Sequence, residues 1–346
     1  MVKISIIVPI YNGAKYINNC TEMISNQTFK DFELIIIDDG STDNSCEMCM
    51  EKAKKDSRIK VISKENGGTW AARNRGIDES IGKYIIFFDC DDFYDDDLLR
   101  SMYQCIDDRG VDLVISGQIN VTVNAAFETI RTAKVLPQKQ FFKTKNEILE
   151  KYISLRKQEI GDTLWNKIYK SEIIKKNNLK FEQYKRGEDC IFNANYYEAI
   201  ETCIVLNKAF YSYIIENANP VWLKYSENYL NIVLEENNAI VNKLESWGKN
   251  NSDAVQYQST HFTYRITEYF FGVVYSKELN FKNKCESVSN IISDENVQNN
   301  LKNSNVNGKF NKMVIKLMKS KKIVLILILV KIKLIYNNIK DRRYLK

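Results

Sequence analysis

Histidine is nearly absent: His261 is the single one in 346 residues. A Ser-His-Asp or Cys-His catalytic group, or a histidine-rich metal centre, would have to be built on that one side chain. General-base work therefore falls to aspartate or glutamate, and a bound cation would take carboxylate oxygens, which suit Mg²⁺ or Mn²⁺. Three prolines and thirteen glycines are too few for low-complexity linkers. Long hydrophobic runs are also missing. The longest in the C-terminal stretch, Ile323 to Val330, makes about 12 Å of helix, against the ~20 residues that a bilayer core requires. The opening "MVKISIIVPIYNG" enters a strand pattern at once, without the regions of a signal peptide. The expectation is a cytosolic protein whose eight cysteines stay reduced. Cys46 and Cys49 form a C-x-x-C in a helical pattern with no second pair, which disfavours zinc and redox roles. Neither G-x-G-x-x-G nor G-x-x-x-x-G-K-[ST] occurs, so there is no dinucleotide fingerprint and no P-loop.

Charge is present but unevenly placed. The chain carries +6 overall, while residues 309–346 hold twelve Lys or Arg against one acid, Asp341. That stretch is +11, which leaves −5 for the body. The split argues against a nucleic-acid-binding body and for a segment that meets an anionic surface. Lysines flank and interrupt its apolar run, as in a helix lying in a membrane interface. The alternative is a helix that packs on the protein with its lysines solvated.

Along the first 90 residues strand and helix patterns alternate. "KISIIVPIY" (3–11), "FELIIIDDG" (32–40), "IKVISK" (59–64) and "KYIIFFD" (83–89) are apolar, β-branched runs. Helical patterns separate them, which implies an α/β fold with a doubly wound, mostly parallel sheet. Such sheets take ligands at the carboxyl ends of their strands. Those ends read "PIYNG", "DDGSTD", "KENGG" and "DCDD", so glycines, carboxylates and an aromatic meet on one rim. "FFDCDDFYDDDLL" (87–99) holds six aspartates, which repel one another and call for a positive partner. Further on, a strand is expected at 112–117, a helix from Thr144, a loop or short strand and then a helix in 164–181, a tight turn then a helix at 185–201, and a strand or pair of short strands at 203–214. From Ser226 to Ser304 the pattern is helical and polar.

The ordered set "SIIVPIYNGAKYI", "FELIIIDDGSTDNS", "NGGTWAARNRGID", "YIIFFDCDDFYDDDLL" and "GEDCIFN" resembles a family 2 glycosyltransferase of GT-A fold, bacterial surface-polysaccharide type. The resemblance covers residues 1–215 and implies a catalytic domain there, followed by a helical region (216–305) and a basic amphipathic membrane-associating tail (306–346). It also implies roles. The backbone of Pro9, the ring of Tyr11 and the Asp38 carboxylate would meet the uracil of a UDP-sugar, Asp38 by accepting from N3–H. Asp39 is assigned to helix capping with Ser41 and Thr42. Gly67 and Gly68 allow close backbone approach. Arg73 would reach the uridine or diphosphate region and offset the carboxylates, whereas Arg75 points elsewhere and forms a salt bridge. Asp89 would lie near the ribose. Asp91 would ligate a bridging Mn²⁺ or Mg²⁺, with Asp92 a second ligand or an acceptor behind it. Asp95, Asp96 and Asp97 are read as a solvated loop and helix start.

Asp189 in "GEDCIFN" would be the base that takes the acceptor hydroxyl proton, with Glu188 as supporter or competitor. Trp165, Asn166 and Lys167 are acceptor-side candidates. Ile214 and Pro220 depart from the family pattern, which puts its diphosphate contacts from that loop in doubt. The implied activity is inverting, metal-dependent transfer of a sugar from a UDP-sugar to a hydroxyl of a lipid-linked glycan, by an enzyme on the inner face of the cell membrane. Two alternatives are a non-catalytic nucleotide- or partner-binding module and a nucleotidyltransferase. Intact Asp89, Asp91 and Asp189 argue against the first, and the lack of a basic, glycine-rich loop after the first strand argues against the second.

Overall fold

Four continuous apolar runs become four parallel strands. In the computed structural model, which describes residues 2–124, 126–216 and 225–343 with side chains as far as 337, these are β1 (Ile4–Ile10), β2 (Phe32–Asp38), β3 (Ile59–Ser63) and β4 (Tyr84–Phe87). Helices α1 (Ala14–Asn26), α2 (Ser45–Ala53) and α3 (Thr69–Glu79) connect them. Ile4, Ile6, Ile7 and Val8 are fully buried, which is why β1 lacks the alternation of a half-exposed strand. Each such side chain stabilises the fold by about 1.5–3 kcal/mol.

After β4 come β5 (Phe93–Tyr94), α4 (Leu98–Arg109), β6 (Leu113–Val123), β7 (Thr129–Val135), β8 (Gln140–Phe142), α5 (Lys145–Lys157), β9 (Lys167–Lys170), α6 (Ser171–Lys176), α7 (Glu188–Ala199) and β10 (Cys203–Glu216). The sheet order is β3-β2-β1-β4-β9-β6-β10-β5, with β7 on β6 and β8 on β10. β9 runs antiparallel to both β4 and β6, so the sheet is mixed. β5, β7 and β8 have no counterpart in the sequence reading; β5 and β8 are only two and three residues long, and β7 carries no buried residue. Thr144 caps α5 by accepting from the Glu147 amide, as its sequence position foretells.

The chain forms two compact units. One comprises Met1–Val123 and Arg131–Ile215, and the other Asn124–Ile130 and Glu216–Lys346. The second contains α8 (Tyr229–Ser246), α9 (Ser252–Tyr275), α10 (Phe281–Ser293), α11 (Glu295–Asn303), α12 (Lys309–Lys319) and α13 (Ile323–Arg343). Its core gathers Phe262, Ile266 and Phe270 of α9 with Val288, Leu301, Met318, Ile326 and Val330. Residues 306–346, expected to stand as a segment of their own, thus place α12 and α13 within this unit. The apolar side chains of one face of α13 complete its core. Among the described residues no helix is long and apolar enough to cross a membrane. His261 is a residue of α9 beside Tyr257, and all eight cysteines are free.

Register brings the sheet's chemistry level. Ile10 lies opposite Asp38, and Asp38 opposite Ser63. β4 ends at Phe87, level with Ile7, so the acidic residues that follow it continue to the same rim. α3 lies close on β1 because Gly76 has no side chain: a Cβ there would sit 2.3 Å from Ile7 Cγ2. On helix propensity alone Gly76→Ala would stabilise by about 1 kcal/mol. The steric contact reverses the sign, and we expect a loss of about 1–3 kcal/mol in urea denaturation. An unchanged or raised midpoint would contradict the α3–β1 contact.

Candidate active site

Two loops lace together at the ends of β1 and β2. Asn12, in the left-handed region at φ 51°, accepts through Oδ1 from the amides of Thr42 (2.8 Å) and Asp43 (3.3 Å). Its own amide donates to Ser41 Oγ, and that of Gly13 to Ser45 Oγ. This lacing leaves Tyr11 exposed at the rim and Pro9 half-buried. Asp38 is buried, accepting from Ser63 Oγ (2.9 Å) and more weakly from the Ser41 amide (3.3 Å). Asp39 accepts from the amides of Gly67 (3.0 Å) and Gly68 (2.7 Å) and from Lys64 Nζ (2.6 Å). The capping role expected of Asp39 is therefore reversed: Asp38 takes the Ser41 amide, while Asp39 braces the glycine turn. Gly68 needs its freedom there, at φ 91°.

The positive partner that the aspartate-rich stretch calls for is Arg73. Its buried guanidinium lies 2.6 Å from Asp189, 3.2 Å from Asp89 and 3.3 Å from Glu188. Asn74 brings the distant segment there. Its side chain accepts from the Phe181 amide and donates to the Phe181 carbonyl, both at 2.8 Å. That double bond fixes the chain ahead of α7, whose first turn carries Glu188 and Asp189 after Gly187 at φ 81°. One cation thus faces three carboxylates. Desolvation raises Asp189 above the ordinary carboxylate range, and nearby Glu188 and Asp89 add to this against the pull of Arg73. Arg75 pairs with Glu79 on its own helix, as expected.

Asp91 is exposed and Asp92 is buried. Both oxygens of Asp92 accept internal bonds, from Tyr211 Oη (2.6 Å) and the Ile214 amide (2.7 Å). Burial pushes Asp92 up to about 8. Of the two roles open for Asp92, the structure thus favours the acceptor behind the site, because this carboxylate holds β10 to the end of β4. Tyr211 Oη also accepts from the Asp89 amide, and Tyr94 Oη donates to the Asp89 carbonyl. An aromatic column backs this corner: Phe88 stacks on Tyr94 at 4.1 Å and Trp165 on Tyr211 at 4.3 Å. Trp165 also stacks on Tyr213 (5.7 Å), which is partly exposed and feels the charges of Asp89, Asp91, Asp92 and Asp189. Tyr211, Tyr213 and Asn74 were missed in the sequence. The alternation Tyr-Ser-Tyr on a strand puts both tyrosines on one face, which is the available signal. Asp95 accepts from the Asp97 amide and Asp97 from Thr28 Oγ1, as loop and helix-start residues.

All three acceptor-side candidates are buried, Trp165 stacked with both Tyr211 and Tyr213. Asn166 and Lys167 are each about 1% exposed. Asn166 donates to the Ser116 carbonyl (3.0 Å), and Lys167 to the carbonyls of Ile160 (2.8 Å) and Thr163. They hold the loop that carries Trp165 and have no face left for an acceptor. Burial brings Lys167 down to about 7. Asn193 ties the same loop to α7, donating to the carbonyls of Asp162 (2.7 Å) and Asp189 (2.9 Å). Pro220 lies outside the described residues, and Ile214 contributes only its amide to the bond with Asp92.

No group of three or more His, Cys, Asp or Glu gathers as a cation site among the described residues. A cation here would rest on Asp91 with few other protein ligands. That fits the oxygen-ligand habit of Mg²⁺, which binds one or two carboxylates and takes its remaining ligands from phosphates and water.

A parallel half-sheet with an acidic, glycine-rich rim and a helical region after it is the GT-A fold of glycosyltransferases. Residues 1–349 of S. aureus TarS, solved with UDP, superpose with a TM-score of 0.63 over 95% of this chain and 90% of that one, at 19% identity. The family described as glycosyl transferase family 2 matches residues 5–177. Glycosyltransferase GlyA of Streptococcus pneumoniae is 32% identical over 64% of this chain, which spans 32% of GlyA's length. The EpsH protein of Bacillus subtilis is 32% identical over 71% of this chain and 72% of its own length. The chain belongs to glycosyl transferase family 2.

The corner of Asp92, Tyr211 and Ile214 is testable in the free protein. Tyr211→Phe keeps the ring and removes one donor from a buried carboxylate. We expect a loss of about 1–3 kcal/mol in unfolding free energy. Wild-type stability would mean that the hydroxyl bond is not made.

Proposed function

We propose that this protein is an inverting, metal-dependent glycosyltransferase that moves a sugar from a UDP-sugar to a hydroxyl of a lipid-linked glycan in surface polysaccharide synthesis. The observation that carries this reading is the shared ion-pair cluster. Arg73 gathers Asp189, the candidate base, and Asp89, the first residue of D-C-D-D, at the rim of the sheet where such folds take ligands. The UDP in the TarS structure supports the donor class.

In this reading uracil meets the Pro9 backbone and Tyr11, and the long Ser41–Asp38 bond yields to the uracil N3–H. The acceptor hydroxyl lies against Asp189. Its oxygen attacks the anomeric carbon in line with the departing diphosphate, a carbon–oxygen bond forms as the one to UDP breaks, and the proton passes to Asp189. Glu188 and Asp89 keep the Asp189 carboxylate basic enough for that transfer, and Arg73 holds its orientation. Tyr213, exposed and backed by the buried Trp165, offers an aromatic face on which a sugar can rest. Asp91 would hold a Mg²⁺ or Mn²⁺ ion, which when bound supplies charge neutralisation to the diphosphate.

The experiment is UDP release from a panel of UDP-sugars with Mg²⁺ or Mn²⁺, beside Asp91→Ala and Asp189→Asn. We expect one sugar to support release, Asp91→Ala to weaken its metal dependence, and Asp189→Asn to lower turnover by about 10²–10⁴ while UDP still binds. Wild type that binds no UDP-sugar with either metal would sink the catalytic reading and favour a non-catalytic binding module.

The pH profile is a separate check. A base must be deprotonated to work, so turnover should rise with pH through an apparent value above the ordinary carboxylate range, as the raised Asp189 requires. A rate already flat from the ordinary carboxylate range upward would count against Asp189 as the base.

A further inference from the structure

α13 is apolar on two opposite sides. Ile326, Leu327 and Val330 are buried in the helical unit's core. Val324, Leu325, Ile328, Ile332, Ile335 and Tyr336 are between 46% and 59% exposed. At about 100° per residue these six fall within an arc of about 120°, facing away from the buried side. Lys331 and Lys333 project on either side of that arc. On α12, Lys312, Lys316 and Lys319 are exposed too, as is Met313. From residue 309 on there is one acid, Asp341, against twelve basic residues. The helix is thus anchored by its inner face, and its outer face is an apolar stripe with a cationic border.

We propose that this outer face of α13 docks on an anionic lipid bilayer, lying in the interface plane with the six apolar side chains among the acyl chains and the lysines at the headgroups. Two observations select this occupant. The basic border complements a negative surface, where each lysine contributes by attraction to the lipid headgroups. A second copy of the chain on the same face would bring two such borders together, like charge on like, in an isologous contact. The helix needs no refolding to bind, because its inner face already fixes it. The proposal is independent of the reaction assigned to the sheet.

The test is co-sedimentation of the full chain with vesicles of phosphatidylcholine alone, and with phosphatidylglycerol added. We expect binding to the anionic vesicles, little to the neutral ones, and release by salt. Ile328→Glu with Ile332→Glu places charge on exposed positions and should lower partitioning at least tenfold, with helix content and unfolding midpoint unchanged. Lys331→Gln should lower it about fivefold. Two results would overturn the proposal. One is wild type that stays in the supernatant with anionic vesicles. The other is a dimer, seen by light scattering, that the double glutamate variant converts to monomer while vesicle binding persists.

Discussion

One buried guanidinium organises the acidic rim of the sheet. Arg73 neutralises part of a cluster that would otherwise place Asp89, Glu188 and Asp189 against one another in a partly desolvated corner. Arg73 and Asp189 are 116 residues apart in the chain. Asp89 arrives by way of β4, and Asp189 on the first turn of α7. Asn74, next to Arg73, clamps the Phe181 backbone and so fixes where α7 begins. The same turn of α3 therefore supplies both the charge that the acids need and the hydrogen bonds that position one of them.

Around this centre, hydrogen bonds tie the rim's loops to each other. Asp39 holds the glycine turn, Asn12 holds the loop after β2, and Asp92 holds the end of β10. Acids that look alike in sequence thus divide into two kinds. Asp38, Asp39 and Asp92 are buried, whereas Asp91 is exposed and Asp89 and Asp189 are partly so.

That division explains how much was legible beforehand. Strand runs such as "SIIVPI" and "LIIID" announce a parallel sheet because burial on both faces removes alternation, and their register then forces the rim residues together. Asp189 and Arg73 stand out as candidates from the motifs they lie in, and the structure brings them into contact. The direction in which a side chain points was not. Asp92 follows Asp91 by one residue, and only the turn between β4 and β5 sends one outward and the other toward Tyr211. Asn166 and Lys167 are polar residues in a motif-like segment, yet a loop without regular structure must satisfy its carbonyls, and these two side chains do so. β7 was invisible for the opposite reason: it leaves no buried residue to mark a period.

The clamp between Asn74 and Phe181 bears on how this scaffold can diversify. The donor-side strands and the α7 segment look like interchangeable parts, divided after the D-C-D-D stretch. The clamp and the ion pairs cross that division: α7 is registered against α3 by backbone atoms of Phe181 and by the Arg73 charge. A segment grafted from a relative would retain its geometry only if its backbone met Asn74 at the same place and its first turn brought the same number of acids. α3 and the start of α7 therefore vary together or not at all.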